Sequence, residues 1–250
     1  MPATLLAMRL TKFVPPTLAC LALAPLVARA ELSAELLDLA GRVQYGYYQA
    51  DARAIEAALV ALDRLGDSPD AVYYRDFAAL RLAQLGGRDG DERLSDCARR
   101  EAPAELAGRA AAEAAVLAAA CALVASDDRR FEQALARARA LDDDHPRIAL
   151  LEAWAIERTV ARNPEARAEF EARLAAAVAA FDAWTPTIDD PEWGQAEALA
   201  ALGESALARG DMRAARDLLE RALLLAPDYS RAVALRTAVQ GARGGSQRTL

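Results

Sequence analysis

Histidine and lysine occur once each, at His145 and Lys12. A single histidine excludes any two-histidine metal motif, and no Cys-His pair is suggested. The three cysteines are never spaced Cys-x-x-Cys, so a dithiol redox site is not expected. No Gly-x-Ser-x-Gly elbow surrounds any serine. The glycine-rich stretch Gly86-Gly87-Arg88-Asp89-Gly90 lacks both the preceding strand and the following Lys-Ser/Thr of a phosphate loop. No segment alternates apolar and polar residues with period two, which leaves an all-α reading.

Long apolar runs are missing too. The longest, Phe13–Val27, is about fifteen residues and contains Pro15, Pro16 and Pro25, against roughly twenty needed to span a bilayer. Preceded by Arg9 and Lys12 and followed by Ala28-Arg29-Ala30, it reads as a secretory signal peptide over 1–30 cut after Ala30, with Met1 and Met8 as alternative starts. The alternative is a lipoprotein signal, Thr17-Leu18-Ala19-Cys20, with Cys20 acylated. Cleavage removes three positive side chains and no acid, taking the formal charge from −7 to −10. An acidic mature chain points away from nucleic acid and anionic lipid, and no stable membrane insertion is expected after cleavage. With lysine gone, arginine carries every positive side chain and alanine fills many helix positions. That mix resembles the coding bias of GC-rich bacterial genomes, and with the leader it gives the expectation of an exported protein in the periplasm of a Gram-negative bacterium.

What is present is helix punctuation. Ser33, Ser68 before Pro69, Ser126, Asn163 before Pro164, Asp190 before Pro191, and Ser230 stand where a side chain accepts a first-turn N–H. Ser95 is placed to cap as well. Gly66, Gly86-Gly87 and Gly210 mark left-handed stops. Between these marks apolar residues recur at three and four, as in Leu36, Ala40, Val43 and Tyr47. First helices of successive pairs then start near Ser33, Pro69, Gly108, Pro146 and Pro191, with a last helix near Tyr229; the spacings are 36, 39, 38, 45 and 38.

Residues 196–229 are the most regular stretch. Leu199, Leu202-Gly203 and Ala206 mark one helix, Ala215, Leu219 and Ala222 a second, and Pro227 closes the unit. This pattern resembles the tetratricopeptide repeat, whose unit is about 34 residues, with the aromatic positions replaced by Leu199, Ala206 and Leu219. The resemblance is close over 196–229 and loose elsewhere. It implies a solenoid of about five antiparallel helix pairs over 31–240, capped by Tyr229–Gln240. Gly241–Leu250 reads as a disordered tail. The alternative is an irregular helical bundle containing one true repeat.

Cys97 and Cys121 remain after cleavage, an even number for an oxidising compartment. On facing antiparallel helices two residues lie level when they are equally far from the turn. The midpoint is residue 109, so a disulfide between them places the turn near Gly108; two separately buried thiols are the alternative. His145 lies in Asp142-Asp143-Asp144-His145-Pro146, which reads either as a cation site or as a solvated turn that caps the next helix. The ordered calcium-loop pattern is absent, favouring the turn.

Two regions read as binding candidates. One is tyrosine-rich: Tyr45, Tyr47 and Tyr48, then Tyr73, Tyr74 and Phe77, with Tyr48 and Tyr74 expected to be exposed. The other is the long link Trp184–Trp193, in which Trp184 and Asp189 have no helix-start role. In the tetratricopeptide family first helices line a concave groove, and the resemblance implies that Glu197, Ala200, Glu204 and Leu207 face it. Together with arginines such as Arg75, such a groove would clamp an extended peptide. The expectation is an exported, non-catalytic scaffold for a protein or peptide partner, with no cofactor. Two alternatives stand beside it: an envelope-assembly lipoprotein, and a hydrolase or lyase with its site at the link.

Overall fold

The computed structural model describes residues 33–86, 91–104, 106–160, 163, 165–187 and 190–246. The expected leader with Cys20 and its cleavage point, Asp189, and the last residues 247–250 lie outside them. The described chain belongs to one compact unit, Leu32–Leu250.

Eleven helices and no strand are found among the described residues. They are α1 (Ala34–Tyr48), α2 (Ala52–Leu62), α3 (Pro69–Gln84), α4 (Asp91–Arg99), α5 (Gly108–Val124) and α6 (Asp128–Leu141). After these come α7 (Pro146–Val160), α8 (Glu165–Ala183), α9 (Gln195–Ala208), α10 (Met212–Leu225) and α11 (Ser230–Ser246). No described helix is long and apolar enough to cross a membrane.

Several helix boundaries follow the expected cap chemistry, while Asp51, Asp127 and Asp211 cap α2, α6 and α10. Ser33 Oγ accepts from Leu36 N and Ser68 Oγ from Ala71 N, with Pro69 at the first helical position. Gly66, Gly86 and Gly210 take the positive φ expected of helix stops. Three expected caps and one expected tail are corrected. Ser126 turns the chain at φ 59° and Asp127 beside it caps α6, while Ser95 lies inside α4. The helix expected at Pro191 begins at Gln195 instead, because Asp190 spends its carboxylate on Thr187 N and Arg109. At the C-terminus, α11 runs past Gln240 into the segment expected as a tail.

Every helix packs on the next in sequence, and α1 with α3, α3 with α5, α5 with α7, and α9 with α11 touch as well. The α3, α5 and α9 helices are buried over most of their surface, whereas α6 and α10 bury a single stripe. That difference is what their sequences dictate: α5 is largely alanine and apolar all round, the pattern of an enclosed helix. Gly203 lets α9 approach α10, since a Cβ there would stand 2.9 Å from Leu219 Cγ.

Cys97 and Cys121 are joined by a disulfide, with Cα atoms 5.9 Å apart. The pairing agrees with the midpoint argument, and α5 starts at Gly108 as expected. The connection differs from a tight turn. From Gly108 to Cys121 the helix rises about 20 Å, and residues 100–107, able to reach about 26 Å when extended, carry the chain back over that distance.

Candidate functional site

Two charged clusters are buried where α1, α3, α5, α7 and α9 approach one another. In the first, Arg81 is fully buried in the last turn of α3 and pairs with Glu197 in the first turn of α9. Its remaining N–H groups reach Gln44 Oε1 at 3.0 and 3.2 Å and Gln84 Oε1 at 2.8 Å. The guanidinium lies over the Tyr47 ring, 3.9 Å from its centroid. Glu197 also accepts from Tyr48 OH at 3.2 Å and from Gly194 N at 2.9 Å, and its charge stands at the positive end of the α9 dipole. Burial pushes the Arg81 pKa down, and Glu197 outweighs that to hold it above its ordinary value. The pair therefore fastens α3 to α9, 116 residues along the chain.

The second cluster centres on Glu113, the lone charge inside the alanine run of α5. Its carboxylate accepts from Arg147 Nη1 at 2.8 Å, Tyr73 OH at 2.5 Å and Trp193 Nε1 at 3.0 Å. His145 Nε2 stands 3.0 Å away, close by distance but misaligned for a good hydrogen bond. Burial would raise the Glu113 pKa; Arg147, His145 and Tyr73 overcome it and hold the carboxyl at about 2. His145 is thus buried against Glu113 and Trp184, correcting the expectation of a solvated turn. No grouping of three or more metal-ligating side chains occurs among the described residues.

Arg147 does a second job. Its Nε donates to Trp193 O at 2.9 Å and its Nη2 to Pro191 O, which fixes the end of the link before α9. Arg109 fixes the other end by donating to Thr185 O and Asp190 while stacking on Trp184, 3.9 Å from the ring centroid. Gly194 takes φ 103° where a Cβ would stand 2.7 Å from Phe181 Cζ, so the turn into α9 requires glycine.

Above this pinned link lies a cleft of about 440 Å³. Phe181, Trp184, Pro186, Pro191 and Trp193 form one side, and Leu224 and Leu225 at the end of α10 another. Gln44, Tyr48 and Arg147 also line it, but their polar groups are committed to the buried clusters. Leu224 and Leu225 remain 83% and 52% exposed. The exposed Glu192, and Gln195, which donates to Asp182 at 3.2 Å, complete the polar lining, so the cleft presents apolar walls beside one carboxylate and a few amide and hydroxyl edges, an arrangement suited to holding a ligand by shape.

Of the expected binding residues, Tyr48 lines this cleft, together with Trp184 and Trp193 of the expected link. Tyr74 is buried, edge-on to Tyr73, and does not have the expected exposure. Arg75 folds back onto Gly66 O and Asp67, each at 2.7 Å. Glu197 is buried, reached from α1 by Tyr48 and from α3 by Arg81, and Ala200 is buried too, so neither faces an open groove. Glu204 is half-exposed and pairs with Arg231, and Leu207 packs half-buried on the core. Arg81, Glu113 and Arg147 escape the sequence reading, although Arg81 between Leu80 and Leu82 and Glu113 among alanines are single charges in apolar runs, the signal of a buried charge.

The chain matches no known protein-family model and no curated protein.

Proposed function

We propose that this chain is an exported scaffold of the tetratricopeptide type. It holds an extended segment of a partner protein in the cleft between the Trp184–Trp193 link, α1 and the end of α10, and does not alter that segment covalently. The helix order supports the repeat reading: five consecutive pairs, α1 with α2 through α9 with α10, are followed by α11. The Cys97–Cys121 bond fits an oxidising compartment.

The observation that carries the binding reading is the cleft itself. Gln44, Tyr48 and Arg147 in its lining are turned inward, Glu192 stands exposed, and two adjacent leucines stand exposed at its edge. Exposed apolar side chains beside aromatic walls mark an interaction site, and anchors for such a cleft are aliphatic or aromatic side chains spaced along an extended chain. The test is selection of peptides from a random display library on the mature protein. Enrichment of peptides with apolar anchors that no longer bind the Leu224→Asp/Leu225→Asp variant supports the reading. Failure to enrich, or equal binding to that variant, removes it.

A further inference from the structure

A second groove, on a different part of the molecule, has the opposite chemistry. It has a volume of about 400 Å³ and lies between the end of α4 with the chain leaving it, α5, and α6. Its floor is methyl groups: Ala98, Ala102, Ala115, Ala118 and Ala134. Its walls are arginine. Arg99 and Arg100 stand on one side; Arg130 and Arg137, with Gln133 between them, stand on the other. Arg130, Gln133, Ala134 and Arg137 follow each other at three and four along α6 and therefore share a face. Glu101 is the only acidic lining residue. In a chain of net charge −7, the lining itself holds four arginines against one glutamate, and the three aspartates that pair with these arginines, Asp96, Asp76 and Asp127, stand outside the lining.

These arginines have donors to spare. Arg99, Arg100 and Arg130 each face one carboxylate, Asp96, Asp76 and Asp127 respectively, and their side chains are 49%, 44% and 41% exposed. A guanidinium carries five N–H donors, so a single carboxylate leaves part of each fork open. Among the described residues Arg137 and Gln133 have no side-chain partner at all.

We infer that this groove binds an acidic, extended peptide segment of a partner protein. The cations are distributed: three are tied to three different carboxylates on α3, α4 and the start of α6, and Arg130 and Arg137 are about 10 Å apart along α6. A compact anion such as phosphate needs donors converging on one point. A polypeptide with several carboxylates matches separated cations, and its backbone and Cβ atoms match a methyl floor. The assignment is independent of the apolar cleft.

The test is fluorescence anisotropy of a labelled peptide of alternating Glu and Ala, about six residues long and spanning roughly 20 Å when extended. It is titrated with the full mature protein at low salt. Saturable binding that weakens with added salt is expected, about tenfold or more weaker for Arg137→Glu, tighter for Glu101→Gln, and unchanged for Leu224→Asp. Arg137 is exposed and unpaired, so its variant keeps the parent melting curve; Gln133→Glu, also expected to weaken binding, is the second probe. Absence of binding, indifference to Arg137→Glu, or dependence on Leu224 overturns the assignment. So does Arg137-dependent binding of polyphosphate or phosphatidylglycerol vesicles without binding of the peptide.

Discussion

Glu197→Ala is the substitution that most directly interrogates the buried network. It leaves the Arg81 guanidinium fully buried, still bonded to Gln44 and Gln84 but without its carboxylate. Removing one partner of such a pair costs about 3–5 kcal/mol, because the remaining charge has neither water nor counter-ion. In a unit of this size 1 kcal/mol moves the melting temperature by about 2–4 °C, so a fall of roughly 10 °C is expected. Arg81→Met on its own strands Glu197 in the same way and forfeits the contact with the Tyr47 ring. The double variant removes both charges and keeps the apolar stem, and replacement of a buried pair by apolar groups is often close to neutral. Its cost should therefore fall short of the sum of the singles by about 2–3 kcal/mol. Urea denaturation followed by circular dichroism on all four proteins measures this. A cost below about 1 kcal/mol for Glu197→Ala, or strict additivity, refutes the claim that this pair fastens α3 to α9.

Further expectations concern the other fixed points. Glu113 has its pKa depressed from 4.5 to about 2 in the fold, so its contribution is complete above pH 4.5 and is lost as pH falls toward 2. Glu113→Gln should flatten that acid limb of a stability–pH curve, and an unchanged limb contradicts the assignment. Non-reducing peptide mapping should recover Cys97 linked to Cys121, and replacing both by alanine should cost about 3 kcal/mol by releasing a loop of 24 residues' separation. Two alkylatable thiols in unreduced protein contradict the bond. Gly203→Val should cost about 1–3 kcal/mol through the clash with Leu219. Gly41→Ala, where a Cβ meets nothing within 4 Å, should instead gain about 0.5–1 kcal/mol in the same melting assay.

Local chemistry made the helices legible. Ser33, Ser68 and Pro69 announce starts and Gly66, Gly86 and Gly210 announce stops, because caps and left-handed turns depend on residues a few positions apart. The α9 start misleads for an instructive reason: Asp190-Pro191 has the right local pattern, but Arg109, distant in sequence, claims the aspartate. The buried clusters were hidden for the same reason. Arg81 finds Glu197 and Glu113 finds Arg147 only after the helices between them have packed, and no local spacing records that meeting. Burial of Ala200 and Tyr74 has this origin as well: periodicity identifies faces of one helix but not which neighbour covers them. The link was legible as unusual by its length alone, while its role as a cleft wall came from Arg147 and Arg109 holding it down.

The central claim is that a partner segment sits at the Trp184–Trp193 link and not along α9. Photo-crosslinking with a benzophenone side chain placed at Leu224 or, separately, at Glu204 tests it directly, using a peptide selected on the unmodified mature protein. Both positions reach solvent, Leu224 beside the cleft and Glu204 on the α9 face opposite Arg231. Peptide adducts are expected from position 224 and none from position 204. Adducts from 204 with none from 224 would place the segment on α9 and contradict it.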